Sequence, residues 1–227
     1  MKVLACVCVL LANVCSLIAQ SKSPVLMRGL GQHHHTISTK NAEAQRFFDQ
    51  GLTLVFAFNH EEAARAFQRA SVLDPQSAMA FWGIALALGP CINLDVDPPH
   101  EKVAYDAVQK ALLLAPGSAT ERERDYIQAL AKRYSSDPTV DLRKLDAEYA
   151  VAMRGLSNHY PDDLDAATLY AESLMDLHPW KLWSLDGRPT EGTEENTCGF
   201  GTSVAARPQP YLCESLLRPC HGSVPAP

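Results

Sequence analysis

Between Cys15 and Cys198 the chain carries one cysteine, Cys91, although its 227 residues hold seven. Cys6, Cys8 and Cys15 cluster at one end, and Cys198, Cys213 and Cys220 lie in the last thirty residues. A disulfide framework or a thiolate metal cage through the middle is therefore excluded, and the tail spacings of fifteen and seven fit no zinc pattern. A basic excess is also missing. Lys and Arg number 20 against 26 Asp and Glu, a net charge of −6, which leaves no footprint for nucleic acid. No glycine-rich phosphate loop and no nucleophile elbow occurs. His60-Glu61-Glu62-Ala63-Ala64 lacks the second histidine of a zinc-peptidase helix. No convergent set of titratable groups points to an enzyme, and no cofactor motif is present. The composition is otherwise average, which rules out a disordered or collagen-like chain.

What is there begins with the single long apolar run, Val3 to Ala19, after Met1-Lys2 and before Gln20-Ser21. A short positive start, an apolar stretch and small residues make residues 1–19 a secretory signal peptide. The run is short for a membrane span and is interrupted by Asn13 and Ser16. An uncleaved anchor is the alternative. Asn13 and Val14 are poor choices before Cys15 for lipoprotein anchoring. The expected location is secreted or periplasmic, with no membrane span after signal cleavage.

Residues 20–42 have no helical period and read as an extended leader. From Glu43 the texture changes to good helix formers, with apolar residues recurring at three and four. Asn59 is placed to cap a second helix, with Glu62 three residues on as in a capping box. Asp74-Pro75 stops that helix. Offsets then repeat. Ala63, Phe67 and Ala70 share one helix face, with Pro75 closing. The same steps recur at Ala104, Val108, Ala111 and Pro116, and again at Tyr149, Met153, Leu156 and Pro161.

With Gly51 on the first helix, this pattern resembles the tetratricopeptide repeat. The stretch Ala44 to Pro75 matches it closely, and residues 43–178 resemble the exported bacterial proteins that carry divergent repeats of this kind. The resemblance implies an all-α fold of tandem antiparallel helix hairpins, a right-handed superhelical stack of about three and a half repeats. Its departures are specific. Gly51 to Ala63 is twelve residues, but the matching Ala85 to Ala104 is nineteen, so seven extra residues sit in a loop after the helix Ala78–Leu88. A third unit opens with a capping box at Thr120–Glu123 and runs to about Tyr134. A fourth helix spans Leu164–Leu177, with Asp162 and Asp163 at its N-terminus.

Residues 179–195 read as a loop and the start of an incomplete repeat at Thr193-Glu194-Glu195. Residues 196–227 lose all period: 32 residues with five prolines and three charges. A cysteine-rich functional tail is one reading. A shifted reading frame is the other, because plausible codons for Cys213–Pro227 read one base later give a helix-forming string. The expectation is a native chain to about Glu195 and an out-of-frame, irregular tail beyond it.

Several residues invite a site. His33, His34 and His35 invite a metal, yet adjacent histidines do not all face one ion on a regular element. Asn93, Asp95 and Asp97 alternate as in an EF-hand, but Pro98 and Ala104 occupy its glycine and glutamate positions. Cys91 reads as a small buried residue, and His60 as a packing or capping residue. The first-helix face is where the resemblance implies ligand binding. Here it carries Phe48, Leu52, Val55, Phe56 and Trp82, without the Lys and Asn clamp for a peptide carboxylate. Either it binds something apolar, or the leader or a missing C-terminal part covers it. Trp180 and Trp183, after the break at His178-Pro179, complete the candidate contact set. The expected function is a non-enzymatic scaffold binding a protein or peptide. The alternative is an exported metal- or cofactor-associated protein using His33, His34, His35, His159 and His178.

Overall fold

In the computed structural model, residues 24–93, 97–137, 139–190 and Thr193 are described. The signal segment, Asp95 of the acidic loop, Glu194, Glu195 and the irregular tail lie outside them.

The described chain is all-helical: α1 (Ala42–Phe56), α2 (His60–Leu73), α3 (Ala78–Leu88), α4 (Pro98–Ser118), α5 (Glu121–Ala131), α6 (Leu142–His159) and α7 (Leu164–Leu177). Every start but that of α3, where Ser77 makes no capping bond, has a side-chain cap. Asn41 accepts from the Glu43 and Ala44 amides, Asn59 from Glu62, Asp97 from His100, Asp141 from Arg143, and Asp163 from Asp165 and Ala166. Thr120 and Glu123 close a full capping box. At Asn59 the box is not reciprocal, because Glu62 Oε1 instead accepts from Arg65 at 2.7 Å.

The helices pair as α1/α2, α3/α4 and α5/α6, and α7 packs on α6. The first helices also touch in series, α1 on α3 and α3 on α5, forming one layer. α3 sits in the middle. Its sequence is apolar on all sides and nine of its eleven residues are buried. The spacing signature holds as packing: Gly51, Ala63, Phe67, Ala70, Ala104, Val108, Ala111, Tyr149, Met153 and Leu156 are all buried. Pro75 lies in the turn after α2.

Two expected helix ends move. Pro116 does not close α4, which continues to Ser118 and ends with the Ala119 amide donating to Ala115. The proline stands on the exposed side of the last turn, where a missing N–H costs least. α5 stops at Ala131, not near Tyr134. The Lys132 and Arg133 amides donate to Ala129 and Leu130, a tighter turn that sends Arg133 inward. Tyr134 then donates its hydroxyl to the Ala85 carbonyl at 2.6 Å.

Phe48, Leu52 and Trp82 are core residues, each at most 1% exposed, so no partner reaches them in this state. Phe56 is half-buried. The cover over α1 and α5 is the leader. Residues 24–41 have no helix, and Ile37 is buried in the main core.

Candidate functional site

The leader is held by side chains that read its backbone. Gln50 Oε1 accepts from the Met27 amide at 2.7 Å, and its Nε2 donates to the Val25 carbonyl at 3.1 Å. Gln45 repeats this five residues earlier on α1. Its Oε1 accepts from the Ile37 amide at 3.0 Å, and its Nε2 donates to the His35 carbonyl at 2.8 Å. Each glutamine therefore bridges the carbonyl of one leader residue and the amide two residues on. Asp49 accepts from the His35 amide at 3.1 Å, and buried Glu123 on α5 accepts from the Ser38 amide and hydroxyl at 2.6 and 2.5 Å.

The histidines lie within this segment and do not act alike. His34 turns to Asp49, with Nδ1 2.8 Å from Oδ2, and is more than half exposed. His33 and His35 both turn to Asp165 in the first turn of α7. His33 Nε2 lies 3.2 Å from Oδ1, and His35 Nδ1 lies 2.7 Å from Oδ2. His35 also completes a closed ring of aromatic contacts. It meets Phe48 at 5.9 Å, Phe48 meets Trp82 at 6.1 Å, Trp82 meets Tyr126 at 5.6 Å, and Tyr126 meets His35 at 5.4 Å. Burial alone would lower the His35 pKa. The hydrogen bond and charge of Asp165, with Asp163 and Asp49 behind it, outweigh burial and hold it above the ordinary value.

Asp163 stands beside this pair. Its Oδ1 caps α7, while buried Oδ2 makes no hydrogen bond and lies 3.6 Å from Arg122 Nη1. The Tyr126 hydroxyl, also buried, makes no well-formed hydrogen bond. Burial, and then the Asp163 and Asp165 carboxylates, push its pKa far up and keep it neutral. His35, Asp163 and Asp165 place one ligand atom each within 4.8 Å of one another.

Of the other expected site residues, His159 stacks edge-on against Tyr160 at 4.5 Å, and His178 forms the C-cap of α7. Neither belongs to the His35, Asp163 and Asp165 group. Trp180 is exposed, and Trp183 is half-buried in an isolated bridge with Pro189. Asp97 is committed to capping α4. His60 is half-buried, and burial lowers its pKa, opposed by the Ala87 backbone and reinforced by the charge of Arg133.

A second group of titratable side chains converges at the other end of α7. Buried Arg133 donates from Nε to Asp146 at 3.1 Å and from Nη2 to Asp176 at 2.5 Å, and packs on the Tyr149 ring at 4.8 Å. Glu172 lies one turn from Asp176, buried, with Oε2 making no hydrogen bond. Burial and then the Asp176 charge, opposed by Arg133, push the Glu172 carboxyl up to about 8. The folded chain thus keeps a proton that the unfolded chain releases near 4.5, so stability falls as pH rises from about 4.5 to about 8. Thermal melts across that range are expected to show a shallower decline in Glu172→Gln than in the native chain. An equal slope in both proteins would remove Glu172 as the proton's holder.

Among the described residues no helix is long and apolar enough to cross a membrane. Comparisons of the chain with protein-family models, with curated proteins and with solved structures find no match.

Proposed function

We propose that this protein is a non-enzymatic, tetratricopeptide-like scaffold that holds an extended polypeptide across the layer formed by its first helices. The observation that carries this reading is the paired use of Gln45 and Gln50. Each takes one carbonyl and one amide of a short non-helical piece of the leader, on either side of the bend at residues 28–30, an arrangement indifferent to the bound side chains. In this state the occupant is the chain's own leader. Linked in cis, the leader competes at high effective concentration, so a partner segment must displace it. The apolar run Val3–Ala19 supports export to a secreted or periplasmic location, where such a surface would meet protein or peptide partners.

A labelled peptide with the sequence of residues 24–40 tests the reading. The full chain with His35→Ala and Ile37→Asp, which release the leader in cis, is expected to bind the peptide at least about tenfold tighter than the native chain, since the linked competitor is lost. Adding Gln45→Ala on the helix side is expected to reverse the gain. If proteolysis shows the leader released and the peptide still fails to bind, the scaffold reading falls.

A further inference from the structure

We propose a binding site for a divalent transition cation of the zinc type, formed by His33 and His35 of the leader with Asp163 and Asp165 at the start of α7. Three donor atoms, on His35, Asp163 and Asp165, are already gathered, and His33 stands beside Asp165 as the fourth. His33 Nε2 is 3.2 Å and His35 Nδ1 2.7 Å from the two oxygens of Asp165. His35, Asp163 and Asp165 offer one atom each within 4.8 Å. Four ligands about 2.0–2.1 Å from a tetrahedral zinc lie roughly 3.4 Å from one another, a spacing the three gathered donors approach and toward which His33 must turn. The donor chemistry is selective. Two imidazoles with carboxylates suit zinc and its first-row neighbours, whereas calcium and magnesium favour all-oxygen sets.

Two further features point to a ligand rather than to a plain ion pair. Asp163 Oδ2 is buried on a side chain only 7% exposed, yet it has no hydrogen bond; its nearest cation, Arg122, is 3.6 Å away and mostly in solvent. The Tyr126 hydroxyl is buried beside it and faces that carboxylate without completing a well-formed hydrogen bond. Leaving such a group unsatisfied in the interior is unfavourable. A cation bound to Asp163 Oδ2 would satisfy the carboxylate directly. The Phe48 and Tyr126 rings that border His35, with Trp82 packed behind them, close its far side. All four ligands belong to this chain, so the site is complete whenever the leader is docked, with or without the scaffold role proposed above.

The test uses the full protein stripped with a chelator and titrated with Zn²⁺ against a chromophoric competitor. One equivalent is expected to bind, and Co²⁺ in its place is expected to give the strong visible absorption of four-coordinate cobalt. His33→Ala and Asp165→Asn are each expected to weaken Zn²⁺ at least about 100-fold, because each removes a direct ligand. His34→Ala, whose imidazole faces Asp49, is expected to bind within about threefold of the native chain, because that ring is not a ligand. Should Asp165→Asn fail to fold, His33→Gln at the most exposed of the four positions decides the matter. Equal Zn²⁺ affinity in the native chain and the His33 variants, or loss on His34→Ala alone, would overturn the site.

Discussion

Arg133→Ala is expected to be among the most damaging single substitutions in this protein, at about 3–5 kcal/mol. The guanidinium is almost wholly buried, with Asp176 on one side and Asp146 on the other. Glu172 adds a third carboxyl, so the pocket holds more acid than base. Removing the cation strands these carboxyls in a medium that cannot solvate them. They respond by taking up protons, which moves the cost to higher pH: Arg133→Ala should be far less stable at pH 8 than at pH 5. A combined Arg133→Met, Glu172→Leu, Asp176→Leu variant removes the guanidinium with the two most buried carboxyls and leaves only the partly exposed Asp146. It is expected to recover most of the loss, because apolar replacement of a buried ion cluster is often neutral or stabilising. Denaturant melts at the two pH values check both statements. A single variant within about 1 kcal/mol of the native chain would show that the cluster is solvated and stabilises little.

The second large effect centres on Phe67. Its ring is fully buried and lies across two glycines from different helices. A Cβ at Gly51 would come within 2.7 Å of the ring, and one at Gly83 within 2.3 Å. Phe67→Ala is expected to cost about 3–5 kcal/mol through the cavity it opens. Gly83→Ala sets two effects against each other. Helix propensity favours alanine by roughly 1 kcal/mol. Overpacking against a ring boxed in by Phe48 at 5.3 Å opposes it by about 1–3 kcal/mol. The clash wins in the native chain. In the Phe67→Ala background the obstacle is gone, and Gly83→Ala should become stabilising. That reversal of sign, read from a double-mutant cycle, tests the contact itself. Gly51→Leu, facing the same ring, is expected to destabilise by about 1–3 kcal/mol.

Much of this fold was legible in the sequence because its causes are local. The helix Leu164–Leu177 begins where the Asp163 cap puts it, and Ala78–Leu88 ends at the Gly89-Pro90 break. The four-then-three spacing located the buried face of α2, α4 and α6. The shifted end of α5 was not legible, because it is decided by where Arg133 and Tyr134 find partners on α3, α6 and α7. Gly83 was hidden for a related reason. The repeat offset leads to Ala85, two residues on, while the close approach to Phe67 depends on how the hairpins stack.

The candidate site was half visible. The three histidines stood out, but their partners did not, because His35 and Asp165 are 130 residues apart. Asp163 read only as a charge suited to a helix N-terminus, which is true of its Oδ1 and silent about Oδ2. Glu172 and Asp176 drew no notice in the sequence, because their burial depends on Arg133 arriving from another unit. The apolar face of α1 and α3 left open whether a partner or the leader covered it, and the leader's contacts across α1 and α5 supply the cover.

The leader's reach from α1 to α7 bears on how the chain folds. A stack of hairpins touches only its neighbours, so it can grow from any unit and fray from either end. Here residues 33–38 are fastened to Glu123 and Asp165, which joins the first unit directly to the last. The open ladder becomes a closed circuit, and opening any rung weakens the others. Those fastenings require residues that emerge late in synthesis, so the first segment made must wait for some of the last before it docks. Folding should therefore show fast formation of the hairpins and a slower final step in which the leader closes over them, with protection at the Ile37 and Ser38 amides appearing last.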